Sequence, residues 1–259
     1  MAAGKTARVH LAVDTGMGRI GWQVTESEAD EAAEAAKLPG VYAEGIFSHF
    51  ATADDADESF AVYQRKEFER FCAMLSKRGI EIPLKHLNNS AGILRFREQY
   101  GMVRAGILAY GLFPCENMRK EFCADFPLRP AMELITHIAH IKELPAGKTV
   151  SYGATYKTER STLVATIPVG YADGYPRALS GKGEVIIRGV RCPIIGRVCM
   201  DQMMVDISAV PQAKVEDEVT LVGKNGGEFI SAEEVAALAD TINYEFVCGV
   251  SKRVPRVYI

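Results

Sequence analysis

The sequence has no long hydrophobic run, no cysteines in a CxxC spacing and only a small excess of charge of one sign. A membrane-spanning helix needs about 18 or more consecutive apolar residues, and no segment of the chain approaches that length. The net charge of −3 gives no reason to expect nucleic acid or an anionic membrane as a partner. Six cysteines in 259 residues, without paired spacing, favour a reduced cytoplasmic protein over a disulfide framework.

The first half of the sequence alternates between strand and helix patterns. Short apolar runs predict strands at 9–13, 41–47, 80–87 and 103–110. Between them, Thr25 and Glu28 form a capping-box pattern that opens a helix to about Lys37, and further helices are predicted at 56–78 and 90–98. This alternation implies parallel strands joined by right-handed crossovers. Four such strands form either half of a (β/α)8 barrel or an open sheet, and their pattern alone slightly favours the open sheet.

After about residue 127 the pattern changes to short β-rich segments separated by turns. The predicted strands of this second part are 133–142, 162–169, 183–187, 205–207 and 218–222. Such spacing is typical of a mostly antiparallel β domain. A second capping-box pattern at Ser231 and Glu234 predicts a helix near the end. We therefore expect an α/β domain at 1–127 and a β domain at 128–259.

Polar residues follow or belong to each of the four strands predicted in the first part. These residues are Arg19, His49, His86 and Arg104. Because the carboxyl ends of parallel strands meet at one edge of a sheet or barrel, we expect the four side chains to converge. Each of them alone is a weak signal, since a single histidine at a strand end more often has a structural role, and their combination is what indicates a functional site.

Small residues near two of these positions could bind a phosphate. Ser90 opens a predicted helix, where free backbone N–H groups attract anions. Gly106 and Ile107 follow Arg104 and could supply two more N–H donors. The alternative is that Ser90 belongs to an ordinary helix cap and Gly106 allows close packing.

Three motifs of the second part combine turn formers with reactive side chains. They contain Tyr152 before a glycine, Tyr171 in Gly170-Tyr171-Ala172-Asp173-Gly174, and Met200 beside Cys199. Each also has a simpler interpretation as a packed aromatic or an elaborate turn. No base lies near Cys199 in sequence, which argues against a cysteine nucleophile. His137 and His140 are three apart in a predicted strand and would face opposite sides, so we expect no metal site.

Taken together, the motifs resemble those of the alanine racemase family, in that family's order. The matching segments are Asp14-Thr15-Gly16-Met17-Gly18-Arg19, Ser48-His49-Phe50-Ala51-Thr52-Ala53-Asp54, Asn89-Ser90-Ala91, Val103-Arg104-Ala105-Gly106-Ile107, Ser151-Tyr152-Gly153-Ala154-Thr155, Gly170-Tyr171-Ala172-Asp173-Gly174, Cys199-Met200-Asp201, Asn243-Tyr244-Glu245 and Arg253-Val254-Pro255-Arg256. Each motif alone is weak, but their ordered succession from about Val9 to the end is a strong signal.

The resemblance implies the C-terminal half of a (β/α)8 barrel followed by a β domain, with pyridoxal phosphate as cofactor. It implies a homodimer acting on an amino acid, and a cofactor lysine in a preceding half-barrel. No lysine of this sequence lies in the family's motif, a lysine followed by a small residue and Asn-Ala-Tyr-Gly. The sequence thus predicts an N-terminally truncated member that interconverts L- and D-alanine only when the missing half is supplied. The alternatives are a non-catalytic dimerising remnant and a racemase of another amino acid, such as serine or lysine.

The resemblance also assigns roles to individual residues. Tyr152 matches the catalytic tyrosine, which reaches the partner subunit's cofactor and moves the α-proton on one face of the substrate. A phenol needs cationic neighbours to act as a base near neutral pH, and His49 and Arg104 match that requirement. Arg104, supported by His86, would donate to the cofactor's pyridine nitrogen. The remaining matches are substrate-binding Arg19, Met200 and Tyr171, and the phosphate-binding set of Ser90, Gly106, Ile107 and Tyr244. One departure is Ala12, where some family members carry a lysine that positions the arginine matching Arg19.

Overall fold

The strands of the first half form a parallel sheet in the computed structural model, which describes residues 4–259. The chain divides into two units between Ala109 and Tyr110, and each unit is described separately. Across residues 4–259, no helix combines the length and apolarity that crossing a membrane requires.

The first unit is a four-stranded parallel sheet with helices in the connections. Its elements are β1 (Ala7–Asp14), β2 (Trp22–Gln23), α1 (Glu26–Ala36), β3 (Val41–Phe47), α2 (Ser59–Lys77), β4 (Leu84–His86) and α3 (Ser90–Arg95). The sheet order is β2-β1-β3-β4. Leu11 and Val13 alternate with less buried residues along β1, as one covered face of a strand requires. The long α2 buries Phe68, Phe71 and Leu75 on its apolar side.

Helix α1 shows how the local sequence sets an element boundary. The Thr25 side chain accepts a hydrogen bond from Glu28 N, as the predicted cap requires. The Glu28 carboxylate accepts instead from Gln23 N, at 2.6 Å, and so ties the helix start to β2. The predicted helix is confirmed, with half of the capping box replaced by a bond to the preceding strand.

The prediction of a strand at 103–110 was wrong. The chain there bonds to the end of β4 at two points, Gly101 N to Lys85 O (3.2 Å) and Arg104 N to Asn88 O (3.0 Å). It then turns into a short 3₁₀ helix, Gly106–Tyr110, with φ of 39° at Gly106. The positive φ at Gly106 ends the extended conformation before a regular ladder forms. The segment therefore lies beside β4 and presents Arg104 without being a strand.

The second unit is built on an antiparallel sheet of eight strands. It begins with α4 (Glu116–Phe122), and its strands are β5 (Leu134–His137), β6 (His140–Leu144), β7 (Thr149–Val150), β8 (Tyr156–Lys157), β9 (Thr162–Ile167), β10 (Glu184–Ile187), β11 (Val190–Ile195), β12 (Met203–Asp206), β13 (Glu218–Asn225) and β14 (Glu228–Ile230). The main sheet has the order β14-β13-β10-β11-β12-β9-β6, with β5 also paired to β13, while β7 and β8 form a separate pair. Two helices follow the strands, α5 (Ala232–Leu238), capped by Ser231, and α6 (Asn243–Gly249).

A buried cluster supports the loop that joins β7 to β8. Val150, Val164 and Ile195 are its buried members, from three different strands. Because Val150 is anchored there, the start of the following loop, which carries Tyr152, is fixed to the main sheet. The boundary predicted at 127/128 falls inside this second unit, between α4 and β5, and remains a prediction for the domain division.

Candidate active site

Arg104 is the centre of the cluster at the carboxyl ends of β3 and β4. Its Nη1 lies 2.6 Å from His86 Nδ1 and donates to His86 O at 3.2 Å. Its Nη2 donates to Ser48 O (2.7 Å) and Leu87 O (3.1 Å), and lies 3.3 Å from His49 Nδ1. The structure thus brings together three residues that the sequence analysis placed at or within separate predicted strands: Arg104, His86 and His49.

These contacts fix the guanidinium orientation. Both terminal nitrogens of Arg104 are used by protein acceptors, while Nε takes part in none of these bonds. A guanidinium has five N–H donors in a rigid fork, so fixing both ends also fixes the direction of the Nε–H. The Phe47 ring lies beneath the guanidinium, 5.5 Å from it. Arg104 is therefore a preoriented cation with one N–H left for a ligand.

The two histidines beside Arg104 are neutral at physiological pH. Burial, and then the charges of Arg104 and Arg19, lower the pKa of His49 to about 4. Burial, Arg104 and His10 lower the pKa of His86 to about 4. Burial and the charge of Arg19 also lower the pKa of Arg104 itself. Because an arginine stays protonated even so, the cluster is a single cation surrounded by neutral acceptors.

Arg19 lies in the loop after β1, which is shaped by Asp14. The Asp14 carboxylate accepts from Gly16 N (2.9 Å) and Gly18 N (3.0 Å), as well as from the Gln23 side chain (3.2 Å). Burial acts to raise the pKa of Asp14, but these bonds to the carboxylate outweigh it, so the pKa is lowered. The resulting turn leaves the Arg19 side chain exposed.

Sequence reasoning missed Gln64, which joins β1 to the His49 segment. Its side chain on α2 is fully buried and donates to His49 O (2.9 Å) and Thr15 Oγ1 (3.2 Å). Its carbonyl oxygen accepts from Ala51 N at 2.8 Å. A glutamine within a helical pattern gives no signal of this role, because the role depends on which loops the helix packs beneath.

Ser90, Gly106 and Ile107 also come together. Ser90 Oγ donates to Ala105 O and accepts from Leu108 N (3.3 Å), which ties the start of α3 to the 3₁₀ helix. A Cβ at Gly106 would lie 3.0 Å from Ser90 Oγ, so the close approach requires glycine. The amides of Gly106 and Ile107 begin their helix and have no carbonyl partner within it. Two helix starts with free N–H groups therefore lie side by side.

In the second unit, Tyr152 is held on a strained loop. Ser151 has φ 67° and ψ −177°, a region that is almost exclusive to glycine. Its hydroxyl donates to Arg197 O at 2.7 Å, which holds this conformation. A Cβ at Gly196 would lie 2.8 Å from Val150 O, so the two loops touch through their backbones. The arrangement leaves the Tyr152 ring 70% exposed, free to meet a ligand or another chain.

Met200 and Tyr152 line the same shallow cavity of about 420 Å³. The Tyr171 loop supports Met200 through Tyr171 N to Cys199 O (3.0 Å) and Ala172 N to Met200 O (2.9 Å). A Cβ at Gly170 would lie 2.3 Å from Met200 O, which explains why this loop begins with glycine. The geometry joins Tyr152, Met200 and Tyr171 in one loop cluster. Cys199 lies 3.5 Å from Ser151 Oγ and has no basic partner among the contacts of the described residues.

Arg253 is a second residue that the sequence reasoning left without a role. It pairs with Asp173 at 2.9 Å and with Asp201 at 2.6 Å. The chain near the C-terminus therefore bridges the loop of Tyr171 and the loop of Met200. Tyr244 lies in α6, partly exposed, and belongs to this same unit.

Comparisons with known proteins agree with these motifs. The family model of the alanine racemase N-terminal domain matches residues 1–114, and that of the C-terminal domain matches residues 131–258. Alanine racemase from Clostridium perfringens strain SM101 is 46% identical over 256 residues, covering 98% of this chain and 66% of that protein. Alanine racemase from Desulforamulus reducens is 48% identical, covering 99% of this chain and 68% of that protein.

Solved structures give the same result. Alanine racemase from Streptomyces lavendulae superposes with a TM-score of 0.92 at 38% identity, covering 100% of this chain and 68% of that chain. The Clostridium difficile enzyme gives a TM-score of 0.90 at 41% identity, with 100% and 66% covered. The chain spans about 66% of the length of the Clostridium perfringens relative. With both domain models matched and such relatives aligned over nearly all of its residues, the chain belongs to the alanine racemase family.

Proposed function

We propose that this chain provides the cofactor- and substrate-binding part of a pyridoxal-phosphate-dependent alanine racemase that interconverts L- and D-alanine. The observation that carries the proposal is the fixed Arg104 guanidinium, with both terminal nitrogens bonded to protein and Nε left over. A preoriented cation beside neutral imidazoles is suited to holding an unprotonated ring nitrogen, which accepts but does not donate. The family membership supports the same assignment.

The described residues fit pyridoxal phosphate. The adjoining starts of α3 and of the Gly106–Tyr110 helix offer N–H groups to a phosphate, and Gly106 leaves the close approach open. We assign Ser90, Gly106, Ile107 and Tyr244 to the phosphate end. We assign Arg104 Nε to the pyridine nitrogen, with His86 as support. When bound, the cofactor supplies an electron sink that makes the α-hydrogen of an amino acid acidic.

Our assignment for the proton transfer is Tyr152. Its exposed phenol moves the α-proton on one face of the substrate. When the chains assemble as a dimer, Arg104 supplies the positive charge near this phenol. His49, whose pKa of about 4 keeps it neutral, contributes hydrogen bonding and no charge, unlike the sequence-based expectation. Arg104 donates to the ring nitrogen without giving up its proton, which keeps the cofactor a moderate electron sink. The Met200 N–H and Arg19 bind the substrate carboxylate, and Tyr171 lies at the entrance.

We further propose that the four parallel strands of the first unit belong to the C-terminal half of a (β/α)8 barrel. No lysine of this sequence lies in the family's cofactor motif, so we assign that lysine to the N-terminal half of the barrel. The activity then depends on the half-barrel that carries it. Ala12, at a position where some relatives have a lysine, leaves Arg19 without that support.

The test measures L-alanine racemisation with added pyridoxal phosphate, for the chain alone and co-purified with the N-terminal half of a homologous racemase. Activity only in the complemented sample, strongly reduced by Tyr152→Phe, is the expected result. Activity of the chain alone would show that one of its own lysines binds the cofactor. If neither sample racemises L-alanine although the two halves are shown to associate, the result would favour a non-catalytic dimerising protein. L-serine and L-lysine, tested in parallel, decide the substrate.

A further inference from the structure

We propose that His10 is a positioning residue of this site, which anchors the His86 ring and through it holds Arg104. The proposal concerns a side chain on β1, one strand away from the strand ends that carry the cluster. It rests on the proposed function only for its catalytic consequence, because the contacts that carry it lie wholly within the first unit.

The hydrogen-bond directions of the chain Arg104–His86–His10 follow from its first member. Arg104 Nη1 can only donate, so His86 Nδ1, 2.6 Å away, must accept. A neutral His86 then carries its proton on Nε2, which lies 2.6 Å from His10 Nδ1. His10 Nδ1 must therefore accept, and its own proton lies on Nε2. The permanent cation thus fixes the tautomers of two successive imidazoles.

The far end of the chain is anionic. His10 Nε2 lies 3.9 Å from Glu44 Oε2, too far for a hydrogen bond but close enough for the carboxylate to attract the Nε2 proton. Glu44 in turn accepts from Arg8 Nε at 3.0 Å. The row of groups runs from a cation at Arg104 toward a carboxylate at Glu44, and its two hydrogen bonds, Arg104 to His86 and His86 to His10, have the same direction. Bonds aligned in this way strengthen one another.

The backbone of β3 is adapted to accept the His10 ring. A Cβ at position 45 would lie 2.5 Å from His10 Nδ1, so Gly45 leaves the space that the imidazole occupies. The pairing register of β1 and β3 shifts between Val9 and His10, so that His10 pairs with Gly45 instead of Glu44. A bulge of this kind redirects side chains, and here it brings the ring and the Glu44 carboxylate to the same place. The site for His10 is therefore built into two strands.

His10 also completes the restraint on His86. The Phe47 ring stacks on His86 at 5.2 Å and 7°, which sets the plane of the imidazole. Bonds at both ring nitrogens then set its rotation within that plane. Burial and Arg104 keep His86 neutral by lowering its pKa to about 4, which leaves Nδ1 free to accept. An acceptor at Nε2 makes the opposite nitrogen more basic, as carboxylates do for metal-bound histidines.

The experiment records long-range ¹H–¹⁵N spectra of the imidazole rings in the 259-residue chain at pH 7. The sequence has five histidines, so single substitutions assign every ring. We expect His10 and His86 each to carry one proton, on Nε2. In His10→Leu the His86 N–H loses its acceptor and should exchange with water about five- to tenfold faster, the size of one hydrogen bond. His10→Asn keeps an acceptor in place of Nδ1 and should preserve the slow exchange.

The controls are His137→Gln and His140→Gln in the other unit, which should leave the His86 signal unchanged. Gly45→Ala should displace the His10 ring and accelerate the same exchange as His10→Leu. A proton on His86 Nδ1, or equal exchange in the Leu and Asn variants, overturns the proposal. If His10→Leu does not fold, the tautomers in the wild-type and Asn proteins decide. The spectra need no racemase activity, so this result and that of the complementation test are independent.

Discussion

Arg104 Nη1 and His86 Nδ1 lie 2.6 Å apart, and the histidine can only be the acceptor. An arginine that is removed from water needs acceptors on all sides, and here an imidazole replaces the carboxylate that usually pairs with it. The charge of Arg104 is thus left uncompensated within the cluster and remains available to a ligand.

The first prediction concerns this bond. His86→Leu removes the acceptor and leaves a buried N–H of Arg104 unpaired, which should lower the free energy of unfolding by about 1–3 kcal/mol. His86→Asn can place its side-chain oxygen near the position of Nδ1, so its free energy of unfolding should fall less than that of His86→Leu. Urea unfolding followed by circular dichroism gives both values. Equal stability of the two variants would mean that the contact with Arg104 contributes nothing.

The second prediction is a loss of stability on mild acidification. The pKa values of His49 and His86 are both about 4 in the folded chain, below the usual 6.5 of the unfolded one. The unfolded chain therefore binds more protons between these values, so the stabilisation present above pH 6.5 is lost as pH falls toward 4. With solvent screening of half-exposed His49, the total should be on the order of 2 kcal/mol.

Unfolding curves at pH 7, 5.5 and 4 measure this dependence. The double variant His49→Asn with His86→Asn is the control, because its carboxylates still titrate as in the wild type. The free energy of unfolding of this double variant should fall less steeply between pH 7 and pH 4 than that of the wild type. The same slope in both proteins would contradict the assignment of the two imidazoles as neutral groups facing Arg104, Arg19 and His10.

The third prediction concerns the strained backbone before Tyr152. Ser151→Gly removes the strain but also the bond to Arg197 O, so its net effect on unfolding free energy should be within about 1 kcal/mol. Ser151→Ala keeps the strain and loses the bond, which should cost about 1–2 kcal/mol. Thermal unfolding of the two variants shows whether Ser151→Ala is less stable than Ser151→Gly, as expected. An alanine variant as stable as the glycine variant would show that position 151 carries no such strain.

The fourth prediction tests the proton-transfer role in the complemented enzyme. The equilibrium constant between enantiomers is one, so Tyr152→Phe must slow net racemisation equally in both directions. Proton exchange on each face can be measured separately, as the incorporation of solvent deuterium into L-alanine or D-alanine that is recovered with its configuration unchanged. We expect incorporation into L-alanine to fall on the order of 100-fold, with a much smaller change for D-alanine. Equal losses for both enantiomers would remove Tyr152 from the proton transfer and leave it a binding role.

Elements with local signals were predictable from the sequence. The bounds of β3, Val41–Phe47, were predicted correctly, and α1 begins where Thr25 can cap it. The pattern at 103–110 failed because a positive φ at Gly106 is not visible in an apolar run. Pro193 falls within strand β11, where it pairs with Glu184, the first residue of β10.

The candidate site shows the same limit. His86 and His49 were singled out because polar residues at strand ends are a recognisable signal, whereas Arg104 was placed within a predicted strand that does not form. His10 was part of an apolar strand pattern, and its role depends on a glycine 35 positions later in another strand. Ser151 gave no signal of strain, because serine is common in relaxed turns. Such roles come from tertiary neighbours, which a single sequence does not specify.

The bridge from Arg253 to Asp173 and Asp201 has a consequence for ionic strength. Side chains of Arg253 and Asp201 are 50% and 54% exposed, so added salt screens their attraction. Weakening this pair frees the loop that presents Met200. If that loop receives the carboxylate of alanine, as proposed above, salt should act on alanine affinity twice. It would screen the substrate's charge and also loosen the loop that binds it.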